Sequence, residues 1–219
     1  MKTPSSHRSG RRCRLKQSAI TTSLVHCHAV VIGTGSLGRQ VAILLASLGV
    51  KHMSLYDPDI VTAKNLAQGF MEFDVGMPKV DAVANSAHQQ NPRMELLTYG
   101  SRFRRHHLQK WRSGLKYAVF LCVDSMTARK SSWRLIKQAA RFLCDGRPGP
   151  DVIKVLASEM PATDTNYPST LRASKQSPLG KSSCDIVTAI IAAGLMVAQF
   201  SRWLRDLPII PDQVFNLLA

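Results

Sequence analysis

Residues 30 to 70 constrain this chain most, because they read in order as strand, glycine turn, helix, strand and carboxylate. Val30-Val31-Ile32 is an apolar β-branched run, Gly33-Thr34-Gly35-Ser36-Leu37-Gly38 follows without a gap, and Val41 to Leu48 repeats apolar residues at helical spacing. Glycine permits positive φ and close backbone approach, and a helix start offers unpaired N–H groups and the positive end of its dipole. An anion suits that junction. The chain then returns as His52-Met53-Ser54-Leu55-Tyr56 and ends in Asp57, 19 residues beyond Gly38, where a carboxylate can accept hydrogen bonds from both ribose hydroxyls. A tight turn in an α/β core would explain the glycines alone. The added Asp57 points to a mononucleotide or dinucleotide.

The rest of the sequence alternates in the same way. Strands are expected near 28–32, 52–57, 94–98, 117–123 and 152–157, and helices near 37–48, 78–90, 103–113, 126–141 and 184–204. That order predicts an α/β fold, a doubly wound and mainly parallel sheet with helices on both faces. At 219 residues and 45% apolar the chain can bury a sizeable core, and no linker divides it. The expected organisation is a basic arm over 1–26, one nucleotide-binding domain over 27–207 and a tail over 208–219. Residues 159–183 form a stretch rich in Ser, Pro and Thr, too long for a plain connector. Ile186 to Phe200 carries no charge but is shorter than the roughly 18 to 20 residues of a membrane span, so it reads as a buried helix against the sheet or a second copy, with Gly194 allowing close approach.

Beyond Asp57 come Asp57-Pro58-Asp59-Ile60-Val61, then Asn65-Leu66-Ala67-Gln68-Gly69-Phe70, then Gly76-Met77-Pro78-Lys79. A second apolar strand, Tyr117 to Val123, ends in Asp124, with Ser125 and Arg129 opening the next helix. In order and spacing these pieces, from about Ala29 to Trp203, resemble the ThiF/MoeB/HesA family, bacterial relatives of ubiquitin-activating enzymes. The resemblance implies a Rossmann-like fold that binds ATP and Mg²⁺ and adenylates the C-terminal carboxylate of a small ubiquitin-like or sulfur-carrier protein. It implies that Gly33, Gly35 and Gly38 cradle phosphate, Asp57 holds the ribose, Asn65 and Gln68 flank the nucleotide, Lys79 neutralises phosphate charge and Asp124 holds Mg²⁺. Residues 159–183 would be the loop crossing over the partner's tail, with Tyr167 to Leu171 along its channel. The chemistry needs no side-chain nucleophile: charge grows on phosphate oxygens and pyrophosphate as the carboxylate attacks, and Lys79 and Mg²⁺ would offset it.

Two departures from the family pattern matter. Gln68 stands where an arginine is usual, and a neutral amide cannot supply the charged fork of a guanidinium, so Arg39, Arg129 or Arg147 would have to compensate. The paired Cys-x-x-Cys knuckles are absent from Cys13, Cys27, Cys122, Cys144 and Cys184, so no structural zinc is expected. Five scattered cysteines suit a reducing, cytoplasmic setting. Cys184, at the start of the last helix, is the candidate for a thioester or persulfide link by the same resemblance, against a plain packed cysteine beside Asp185.

The charge balance of 29 Lys+Arg against 14 Asp+Glu implies acidic partners. No acidic residue precedes Asp57, and a second basic cluster spans Arg102 to Arg112, expected on a helix with Phe103 and Trp111 anchoring it to the core. The arm reads as a plain solvated tail, as a basic tail that touches nucleic acid, as an organelle transit peptide, or as the segment that lends Arg12 or Arg14 to a neighbouring subunit of a homodimer. Two functions stay open on the sequence: carboxylate adenylation, or a catalytically reduced nucleotide-binding interaction module. An NAD-dependent oxidoreductase fits less well, for want of a substrate domain.

Overall fold

The computed structural model describes residues 23–172 and 185–218. Among them, seven strands form one sheet in the order β3-β2-β1-β4-β5-β6-β7: β1 Cys27–Ile32, β2 His52–Tyr56, β3 Glu95–Tyr99, β4 Lys116–Leu121, β5 Phe142–Pro148, β6 Val152–Ser158 and β7 Asp212–Asn216. The first five pair in parallel, and β6 and β7 join antiparallel. Four helices among the described residues are longer than two turns: α1 Ser36–Leu48, α2 Lys79–Gln90, α3 Met126–Ile136 and α4 Ile186–Leu204. This is the doubly wound α/β architecture read from the sequence.

All six residues of β1 are buried, as an uninterrupted apolar run covered on both faces must be. Ala29 and Val31 of β1 and Ala118 and Phe120 of β4 enter one core with α1, α2 and α4. Their neighbours Val30, Ile32, Val119 and Leu121 enter the other, which α3 closes with Trp133 and Ile136. A single register row crosses the sheet as Tyr99, Tyr56, Ile32, Leu121, Asp145, Leu156 and Asp212. Immediately beyond it, β1 and β4 lead to helices on opposite faces, so the crevice opens between their C-terminal ends.

Several expectations are corrected. Residues 103–113 hold one helical turn, Arg105–Leu108, because Phe103, His107 and Trp111 are drawn onto the tyrosines of the second core and break the helical path. The helix expected to reach 141 stops at Ile136, and the chain enters β5, a strand hidden in the sequence by Asp145, Gly146, Arg147 and Pro148. Residues 212–216, read as tail, are β7 on the sheet edge. α4 has 19 residues of mean hydropathy 1.5, enough by length and composition to cross a membrane, contrary to the shorter estimate. It lies on the sheet instead, with Ala189, Ala192, Ala193, Met196 and Phe200 buried, while Val187, Ile190 and Ile191 face outward and space is open over Gly194.

Candidate nucleotide site

The glycine turn is built as its spacing requires. Gly33 has φ +90° and its N–H donates to the Tyr56 carbonyl, while a Cβ there would press on the Cys122 carbonyl of the β4 end. A Cβ on Gly38 would collide with the Gly33 carbonyl. Gly35, the residue capping α1, is different: nothing lies within 4 Å of the position its Cβ would take. It has no side-chain hydroxyl or carboxylate, so no N-cap side chain satisfies the first-turn amides of α1. Beside it the buried hydroxyls of Thr34 and Ser36 have no hydrogen-bond partner. Open space, orphaned donors and the positive dipole end all fit a phosphate group.

Asp57, 8% exposed, is fixed by both oxygens: the Thr34 N–H donates to Oδ2 at 2.6 Å and the Asp59 N–H to Oδ1 at 2.9 Å. Its remaining lone pairs stay available to hydroxyl donors. Asp59 in turn accepts from Lys79 Nζ at 2.9 Å, and its carbonyl accepts the Lys79 N–H. Lys79 opens α2 with a side chain only 11% exposed. One hydrogen-bonded chain therefore runs from the glycine turn through Asp57 and Asp59 to Lys79. The motif reading gives Asp59 no role of its own; its place two residues after a strand-end aspartate is the signal that could have supplied one.

Asn65 and Gln68 lie in the 3-10 turn Ala63–Gln68 and are engaged with each other, Asn65 Nδ2 donating to Gln68 Oε1 at 3.0 Å. Asn65 Oδ1 also accepts the N–H and hydroxyl of Thr62, so this side chain caps the turn. Asp124 follows β4 on the far side of the crevice; its carboxylate is exposed and makes no hydrogen bond or ion pair among the described residues. Carboxylate oxygen is a suitable donor for a hard divalent cation, but among the described residues no group of three His, Cys, Asp or Glu side chains gathers around it to hold one. Cys184, Arg12 and Arg14 lie outside the described residues.

Of the three arginines that could replace the one missing at Gln68, two are committed elsewhere. Arg129 donates from Nε to Asp145, from Nη2 to the Gly146 carbonyl and from Nη1 to the Asp124 carbonyl. Arg147 donates to the other oxygen of Asp145 and twice to Thr170. Tyr167 completes the cluster with its hydroxyl 3.1 Å from Asp145 and packs with Leu171 in the second core, while Tyr167, Ser169 and Thr170 also line an open cavity with Leu156 and Asp212. Sequence reasoning misses Asp145, although a lone acid after Phe142-Leu143-Cys144 is the mark of a paired buried charge. Arg39 is the exception: it is buried against Phe70 and Ser86, its Nε has no partner, and its guanidinium packs on Gly69 beside Gln68. Burial lowers its pKa, against the opposing charge of Asp74. The described cysteines are structural; burial pushes the Cys27 thiol up to about 12 and raises Cys122 and Cys144 as well.

Comparison with known proteins agrees with this geometry, since a model of the ThiF family matches residues 11–206. The chain belongs to the ThiF family. This ThiF-family chain is 25% identical over 134 residues to the NEDD8-activating enzyme E1 catalytic subunit of Caenorhabditis elegans, covering 60% of this chain and 30% of that protein, so it spans under a third of the relative's length. Among solved structures, PaaA superposes with a TM-score of 0.75 at 19% identity over 99% of this chain and 72% of its own. E. coli MccB, solved with MccA-N7isoASN, gives 0.74 at 16% identity over 97% and 73%. MccB has also been solved with ATP. At these identities the structures share the fold.

Proposed function

We propose that this ThiF-family chain binds ATP at the ends of β1, β2 and β4 and joins its AMP to the C-terminal carboxylate of a short peptide or a small ubiquitin-like or sulfur-carrier protein. The observation that carries the reading is the continuous chain from the glycine turn through Asp57 and Asp59 to Lys79, beside uncapped α1 amides. The family and the MccB structures with ATP and with MccA-N7isoASN support it.

Asp57 accepts from the ribose hydroxyls and fixes the nucleoside, held in place itself by the Thr34 and Asp59 amides. The α1 amides and the Thr34 and Ser36 hydroxyls hold phosphate oxygens. A carboxylate oxygen then bonds to the α-phosphorus as the bond to the bridging oxygen breaks, and pyrophosphate leaves with that electron pair. Lys79 opposes the charge growing on the leaving group, sharing its ammonium with Asp59. Mg²⁺ held by Asp124 would supply further neutralisation of the phosphate oxygens. Arg129 acts as a positioning residue, because it grips the Asp124 backbone carbonyl while anchored on Asp145.

One observation favours a second reading, a nucleotide-binding module without adenylation: Gln68 replaces an arginine, and Arg129 and Arg147 are engaged elsewhere. ATP–pyrophosphate exchange with candidate peptides and carriers separates the two. Exchange should appear with the right acceptor and vanish in Lys79→Ala and Asp124→Ala, and Gln68→Arg should raise it. ATP binding without exchange, even in Gln68→Arg across such acceptors, would favour the second reading.

A further inference from the structure

Between Glu95 and Asp124 the sequence holds no acidic residue, yet it holds Arg102, Arg104, Arg105, Lys110, Arg112 and Lys116. All six are exposed, and all lie on or at the end of the 100–115 connection from β3 to β4. Arg112 pairs with Glu95 at 2.6 Å; among the described residues the other five take part in no ion pair. Lys110 lies over the Tyr99 ring at 4.9 Å. The connection is pinned by its aromatic residues: Phe103 meets Tyr56 edge-on at 5.0 Å, Trp111 stacks on Tyr117 at 4.0 Å, and His107 Nδ1 accepts the Arg104 N–H at 2.9 Å. Apolar rings point in and charges point out.

That division indicates the kind of partner. No exposed large apolar residue occurs between Leu97 and Met160 among the described residues, so the patch lacks the apolar centre around which a protein–protein interface is built. Phe103 and His107 are buried and one face of Trp111 is covered by Tyr117, so the rings of this connection serve mainly to anchor it to the core, with His106 its exposed ring. What remains is a set of long cationic side chains on a fixed backbone, suited to phosphates at repeating spacing. We propose that the 100–115 connection binds the phosphate backbone of nucleic acid without reading its sequence.

The test is anisotropy of a labelled mixed-sequence DNA duplex of about 20 base pairs with the full chain, between about 50 and 200 mM salt. Log affinity should fall against log salt with a slope of at least about 3, at roughly 0.9 per phosphate neutralised. Arg104→Glu with Arg105→Glu should weaken binding about tenfold or more and make the slope shallower by about 2. Arg102→Glu with Lys110→Glu should do the same, which guards against a local folding defect in the first pair. Arg134→Glu with Arg172→Glu changes net charge equally at exposed sites outside the 100–115 connection and should alter affinity less than about threefold. Equal weakening by that control pair would reduce the effect to net charge and overturn the proposal. Tighter binding of polyglutamate of matched charge would reassign the patch to an acidic polypeptide, and preference for one DNA sequence would contradict backbone-only contact.

Discussion

Asp145 carries a negative charge into a fully buried position between two guanidinium groups, 2.8 Å from Arg129 and 2.7 Å from Arg147. Three interactions follow from that one carboxylate: the second core is closed by Tyr167, the segment through Thr170 is held to β5, and the Asp124 carbonyl is held by Arg129. Asp145→Ala leaves two buried cations without a counter-charge and should cost about 3 to 5 kcal/mol, measured by urea denaturation. His28 is a second buried titratable group, its Nε2 2.7 Å from the Ser54 hydroxyl. Burial and the neighbouring His52 lower its pKa from 6.5 to about 4. The unfolded chain therefore binds a proton near pH 6.5 that the folded chain refuses until about pH 4, so stability rises with pH across that window and is lost as pH falls through it. The loss attributable to this group is roughly 3 kcal/mol. Denaturation of the wild type and of His28→Asn at pH values of about 7.5 and 4.5, on either side of most of that window, checks it: the variant should lose distinctly less on acidification. An equal loss in both would place the acid sensitivity elsewhere.

The start of α1 shows which elements the sequence discloses. Its three glycines, the β-branched strand before them and Asp57 after them act through neighbours close along the chain, so spacing alone locates the turn. The two outer glycines are needed by the backbone and the middle one by the open space above it, which yields separable outcomes. Gly38→Ala should destabilise the fold by roughly 1 to 3 kcal/mol, since a backbone carbonyl must move. Gly35→Ala should leave the melting temperature unchanged while weakening ATP binding, because its Cβ meets no protein atom but fills the phosphate's approach. Calorimetric unfolding with ATP titration measures both. β5 is not legible for the opposite reason: its Asp, Gly, Arg and Pro disfavour a strand locally, and they are tolerated because Arg129 of α3 and Arg147 of β5 itself neutralise Asp145 inside the core. The same holds for residues 103–113, where helical spacing is present but the long-range contacts of Phe103, His107 and Trp111 with the tyrosines prevail.

At the scale of the whole molecule, the register row that crosses all seven strands sets the layout. The candidate nucleotide crevice lies beyond it at the ends of β1, β2 and β4, and the basic 100–115 connection leaves from its β3 end. The alternation of elements discloses the doubly wound sheet, because covered parallel strands need apolar runs separated by helices. It does not disclose β7, a short edge strand of mostly exposed residues whose place is set by pairing with β6. Nor does it disclose which arginines are free, because that depends on Asp145 lying between two of them. The central claim, an ATP site organised by Asp57, is tested most directly by calorimetric titration of Mg-ATP and of NAD into the full chain and its Asp57→Ala variant. ATP should bind the wild type more tightly than NAD, and the substitution should cost about 1 to 3 kcal/mol of ATP binding as the ribose hydroxyls lose their acceptor. NAD binding as tight as ATP or tighter, or ATP affinity unchanged in Asp57→Ala, would contradict it.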